Sequence, residues 1–212
     1  MKTDDFIRAL SADLAVSGSP LELRVAATVL PGFTVALLLF AATLGPRPDF
    51  AAVMGDVRFI FKFAVTLLLA LASALLVWRL ARPGAAVRSQ VWLLATVPAV
   101  LILAVLAELL ALPRSSWMTK LVGTNSVLCL LSIPFFATPM LIAALMALRG
   151  GAPTRPSLTG AVAGLLAAAI GAAIYAAHCP DDSPLFIATW YSLAIAIVTL
   201  AGAIAGRLAL RW

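Results

Sequence analysis

Reactive side chains are scarce in this 212-residue chain, and they crowd into one decapeptide, Tyr175-Ala-Ala-His178-Cys179-Pro180-Asp181-Asp182-Ser183-Pro184. It holds the only histidine, one of two cysteines and two adjacent carboxylates, between two long apolar runs. Pro180 and Pro184 lack an amide donor and restrict the residue before them, so a short turn is predicted rather than a continuous helix. The second cysteine, Cys129, lies far upstream. If folding brings the sulfurs together, three chemistries are open. In an oxidising compartment the pair could form a structural disulfide Cys129–Cys179, provided the Cα atoms approach to about 4.4–6.8 Å. The two thiolates with His178 could hold a soft metal ion, the ligand set that thiophilic metals prefer. Or both thiols are inert small hydrophobes in apolar surroundings. A protonated His178 would raise the thiolate fraction of Cys179, whereas Asp181 and Asp182 oppose it. Those aspartates otherwise read as a solvated turn capping the last helix.

Two further charges stand inside apolar runs, Lys62 and Glu108, and charges in such runs are costly unless paired. Both fall at similar depth toward the same end, which predicts a Lys62–Glu108 ion pair, with snorkelling of each to the interface as the alternative. Enzymatic chemistry is not expected. There is no Ser/His/Asp set in plausible company, no H-E-x-x-H and no C-x-x-C, and two cysteines exclude a four-thiolate zinc site. No resident cofactor is expected beyond a transient soft metal ion at the cysteine pair.

The elements that must position these residues follow from composition. Hydrophobic residues make up 63% of the chain and charged ones 11%, with mean hydropathy +1.08. A soluble domain is about 45–50% apolar and about 25% charged, so that class is excluded. Apolar runs at Val25–Leu44, Phe59–Leu80, Val91–Leu112, Val127–Leu148, Leu158–Ala177 and Leu185–Leu208 are each long enough to cross about 30 Å of hydrocarbon. The predicted fold is all-α, a polytopic bundle of six transmembrane helices. It divides into a tail over 1–24, a transmembrane domain over 25–208 and a short end over 209–212. The first run lacks a small-residue cleavage site of the A-x-A kind, so a cleaved signal peptide is not expected. Lys2, Arg8, Arg24, Arg79, Arg82, Arg88, Arg149, Arg155, Arg207 and Arg211 fall on one side, and only Arg47, Arg58, Arg114 and Lys120 on the other. The positive-inside rule then puts both termini in the cytoplasm and both thiols near the outer face. The basic balance, net +6, marks topology rather than direct nucleic-acid binding.

Glycines four apart, Gly160 and Gly164 in the fifth run and Gly202 and Gly206 in the sixth, predict close helix packing. Gly171 adds another small position in the fifth. Pro98, Pro134 and Pro139 should bend the third and fourth helices. Trp78, Trp92, Trp117, Trp190 and Trp212 mostly fall near run ends, as an interfacial belt requires. Ahead of the first run, Thr3 can cap a short helix whose Asp4 and Asp5 favour its positive end, with Phe6, Ile7, Leu10 and Leu14 on one face and Arg8 opposite. Isolated, a helix this short is marginal, so its apolar face should dock on a membrane surface or a partner.

The run Lys2-Thr3-Asp4-Asp5-Phe6-Ile7-Arg8-Ala9-Leu10, the loop Leu44-Gly45-Pro46-Arg47-Pro48-Asp49, the turn His178–Pro184 with Trp190-Tyr191, and the closing Gly206-Arg207 and Leu210-Arg211-Trp212 resemble the NrsF family of bacterial anti-sigma factors. The likeness spans nearly the whole chain. It implies a six-span, multi-pass protein of the bacterial inner membrane whose cytoplasmic N-terminal segment sequesters an extracytoplasmic-function sigma factor. Asp4, Asp5, Phe6, Ile7, Arg8, Leu10 and Leu14 match that segment. The resemblance also implies that a periplasm-side cysteine pair, matched by Cys129 and Cys179, takes part in the response to metal or oxidative stress. Two other readings stay open: a small transporter or accessory subunit using Lys62 and Glu108, and a structural membrane protein.

Overall fold

Long apolar runs satisfy their backbone polar groups internally only as helices or closed barrels, and the absence of strand periodicity here selects helices. The computed structural model describes residues 3, 5, 7–8, 21–82, 85–151 and 153–210, and these contain helices and no strand. Six long helices emerge: α1 (Leu21–Thr43), α2 (Val57–Leu80), α3 (Arg88–Ala111), α4 (Ser126–Leu148), α5 (Pro156–Ala176) and α6 (Pro184–Ala209). Each contains a stretch long and apolar enough to cross a membrane. Their boundaries follow local chemistry. Gly45, in the left-handed region at φ 63°, closes α1 by donating its amide to the Phe40 carbonyl at 2.9 Å. Asp56 caps α2, its carboxylate accepting from the amides of Arg58 and Phe59 at 2.7 and 3.3 Å. Pro156 and Pro184 open α5 and α6, where a missing amide costs nothing. Pro31, Pro98, Pro134 and Pro139 sit inside helices.

Helix α5 is the axis of the bundle and packs against α6, α4 and α2, while α1 leans on α4 and α3 on α2. A small-residue seam explains the first contact. A Cβ on Gly160 would lie 2.6 Å from the Gly206 Cα, and one on Gly164 would lie 2.6 Å from the Val198 carbonyl. Gly171 meets α4 equally closely, with the Ile133 carbonyl 2.7 Å from its notional Cβ. Backbones at this separation leave no room for any side chain. Gly202→Val is therefore expected to separate α5 from α6. The fraction of monodisperse protein recovered in detergent should fall severalfold, whereas Gly55→Ala, whose site is open, should leave it unchanged. The outer surfaces of α1 and α3 are apolar and bare, Leu110 being 89% and Leu38 63% exposed.

Of the tail, Asp5, Ile7 and Arg8 are helical and exposed, and Asp4, Phe6, Leu10 and Leu14 lie outside the described residues.

Candidate functional site

The loops after α1, α3 and α5 gather at one end of the bundle, and the turn between α5 and α6 ties them together. The Arg47 amide donates to the Ala177 carbonyl at 3.0 Å, and His178 Nδ1–H donates to the Gly45 carbonyl at 3.0 Å, which anchors the loop after α1. Lys62 of α2 is fully buried; its Nζ donates to the Cys179 carbonyl at 2.7 Å and pairs with the Asp182 carboxylate. The other Asp182 oxygen accepts from Arg47 Nη1 at 2.9 Å, and Arg47 also grips Asp49 through two bonds of 2.6 and 2.8 Å. That fork holds the exposed Asp49 carboxyl below its usual range and the Arg47 guanidinium above its own.

Asp181 does for α4 what a cap residue does. Its carboxylate accepts from the amides of Thr124 and Asn125 at 3.1 and 2.9 Å, just ahead of Ser126. Gly123 makes this approach possible: its φ is 58°, and a Cβ there would lie 2.5 Å from the Phe186 ring and 2.8 Å from Asp181 Cγ. Glu108 of α3 completes the set, its Oε2 accepting from Ser183 Oγ at 2.7 Å and the Leu185 amide at 3.1 Å, with Arg58 3.5 Å from Oε1. The loop after α3 is fastened as well, by Trp190 Nε1–H donating to the Leu121 carbonyl at 2.9 Å.

Two expectations are corrected here. Lys62 and Glu108 do not pair with one another, because the turn enters between the helices and supplies each with its own partners, Asp182 and Ser183. Neither snorkels, since both are buried. Asp181 and Asp182 are not a solvated cap on α6 but the ligands of α4, α2 and the first loop.

Beneath the hub, Cys129 and Cys179 lie in one buried cluster with Tyr175, Tyr191, Phe186 and Ile133, and both thiols are free and wholly shielded from solvent. Among the described residues no three His, Cys, Asp or Glu side chains converge to hold a metal ion. The three-ligand set Cys129, Cys179 and His178 is therefore not assembled, and His178 Nδ1–H is engaged with the Gly45 carbonyl. Burial pushes the Cys179 thiol up from its ordinary value, only partly offset by the Lys62 charge. A raised folded-state pKa means stability that is whole below the unfolded thiol value and lost as pH rises above it, by about 1.4 kcal/mol per pH unit for one proton. The alkaline limb of a stability–pH curve should thus be shallower in Cys179→Ala than in the unsubstituted protein.

The family model described as "NrsF: Negative regulator of sigma F" matches residues 10–212. The chain belongs to the NrsF family. The Caulobacter vibrioides protein named "Anti-sigma-F factor NrsF" is 39% identical over the full length of both chains. A "Probable anti-sigma-F factor NrsF" from Azospira oryzae is 35% identical, again over both entire chains. No solved structure matches. The NrsF description is a regulatory one. Sequence reasoning about this NrsF chain named Arg47, Tyr175 and Tyr191 within its motifs but gave none of them a role at this site.

Proposed function

We propose that this chain is a membrane-embedded anti-sigma factor, inserted through six spans in the bacterial inner membrane with both termini in the cytoplasm. Its N-terminal helix holds an extracytoplasmic-function sigma factor against the apolar face of Phe6, Ile7, Leu10 and Leu14, with Asp4, Asp5 and Arg8 at the margin. That occupancy denies the sigma factor to RNA polymerase. The cysteine pair, on the periplasmic side by the distribution of basic residues, is the sensing element. Oxidation of Cys129 and Cys179 to a disulfide delivers two electrons and two protons to the oxidant; binding of a soft metal ion by the two thiolates is the other stimulus the site could take.

One observation carries this reading: the turn containing Cys179 is bonded to the ends of all the other spans. Gly45 and Arg47 follow α1, Lys62 is on α2, Glu108 on α3 and Asn125 at the head of α4, while α5 and α6 are the turn's own flanks. A displacement at the sulfur therefore reaches every helix. Moving a complex from 1% to 99% free requires about 5.5 kcal/mol of differential stabilisation, which thiol chemistry coupled to this hub can supply and a surface ion pair cannot. The transport reading loses its support because Lys62 and Glu108 are both occupied by the turn.

Full-length protein in detergent should co-purify a co-expressed extracytoplasmic-function sigma factor of its source organism, and Phe6→Glu with Leu10→Glu should lower the recovered sigma factor at least tenfold. Equal recovery from both proteins would remove the tail from the binding site.

A further inference from the structure

Two tyrosines stand out in the cluster around the sulfurs. Tyr175 and Tyr191 are 0% and 1% exposed, their ring centroids are 5.9 Å apart, and neither hydroxyl has a hydrogen-bond partner. Both share one buried cluster with Cys179 and Cys129. Tyr175 is one helical turn before Cys179, whose own thiol makes a single long contact, 3.9 Å, to the Asp181 carbonyl. Tyr191 closes the π-helical turn Ile187–Tyr191 at the head of α6. Such turns insert a residue, re-aim side chains and cluster at functional sites. A buried hydroxyl left unpaired costs about 1–3 kcal/mol, and phenylalanine would fill either position without that cost. The orphaned donors need a partner that the resting thiol does not provide.

We propose that Tyr175 and Tyr191 are positioning residues for oxidised Cys179: their hydroxyls, idle beside the thiol, donate hydrogen bonds to the oxygen of a sulfenic acid formed there. The step runs with a hydroperoxide as oxidant. The sulfur electron pair of Cys179 takes the terminal peroxide oxygen, the O–O bond breaks, and the leaving oxygen departs as water or an alcohol with the thiol proton. Cys129 then attacks the sulfenic sulfur, the S–S bond forms, and the hydroxyl leaves as water with the proton from Cys129. The tyrosines hold the oxygen in the first product and stabilise its departure in the second step. This inference rests on the cysteine-sensor reading and says which groups hold the oxygen once Cys179 is oxidised.

The test uses full-length protein reconstituted in lipid nanodiscs, in a Cys129→Ser background where the second step is blocked. Hydrogen peroxide is added and the sulfenic acid is trapped with dimedone and quantified by mass spectrometry. Tyr175→Phe with Tyr191→Phe should lower the trapped yield about tenfold, the loss of two hydrogen bonds of ordinary strength. The thermal midpoint of the same variant, fully reduced, should be unchanged or higher, since the resting hydroxyls have nothing to lose. An unaltered dimedone yield, or a reduced protein destabilised by the double Phe substitution, would overturn the proposal. The sensor reading fails separately, if Cys129→Ser and Cys179→Ser leave sigma-factor release unaffected while the tyrosine effect on trapping persists.

Discussion

Asp182→Asn is expected to cost the fold about 3–5 kcal/mol, because it leaves an ammonium buried with its countercharge gone. Lys62 is wholly enclosed, and without the Asp182 charge it keeps only neutral partners, the Cys179 carbonyl and the Phe59 ring, whose centroid lies 5.5 Å from Nζ. The converse change, Lys62→Met, should cost less. Asp182 then keeps Arg47 at 2.9 Å and is partly exposed, so its charge is not stranded. The double variant should recover part of the Asp182→Asn loss, since neither charge is left alone in the interior. Denaturant unfolding of the purified protein in detergent, run as a double-mutant cycle, measures all three. A cycle with no coupling would mean that the ion pair is not what pins the turn to α2.

Glu108→Ala should be the other severe substitution in the hub. It removes the acceptor for Ser183 Oγ and for the Leu185 amide, both buried, and releases Arg58. Two orphaned donors at about 1–3 kcal/mol each outweigh anything gained by burying an apolar side chain there. Glu108→Gln retains an acceptor oxygen for Ser183, so its loss should be well under half of that caused by alanine. The same unfolding measurement separates the two, and equal losses would show that charge, rather than acceptance of these hydrogen bonds, is what the position provides.

The parts of this structure that were legible in the sequence are those set by solvent. Six long apolar helices followed from run length, with helix ends within a few residues of expectation, because capping and proline signals sit at Asp56, Pro156 and Pro184. The glycine seam between α5 and α6 followed from spacing four. Cys129 and Cys179 were placed at one depth by span count, and the fold gathers them into one cluster. Partner identity was not legible. Depth along a helix says nothing of its rotation or of a loop dipping between helices, so Lys62 was matched with Glu108 when the nearer acid was Asp182, in a turn expected to face water. Arg47 was hidden for the same reason. Tyr175 and Tyr191 belonged to motifs already singled out, yet nothing in the sequence marked the π-helical turn that ends at Tyr191 or its place in the sulfur cluster. A phenol four residues ahead of a cysteine in a helix was the one available signal.

If events at the sulfurs govern the grip of the tail, release should be reproducible with nothing but purified components. The complex of full-length protein and sigma factor, in nanodiscs, is exposed to hydrogen peroxide, and free sigma factor is followed by fluorescence anisotropy. The unsubstituted protein should release it, reducing agent should restore binding, and Cys129→Ser and Cys179→Ser should both hold it throughout. Release from the serine variants at the unsubstituted rate would contradict the coupling between the thiol cluster and the tail.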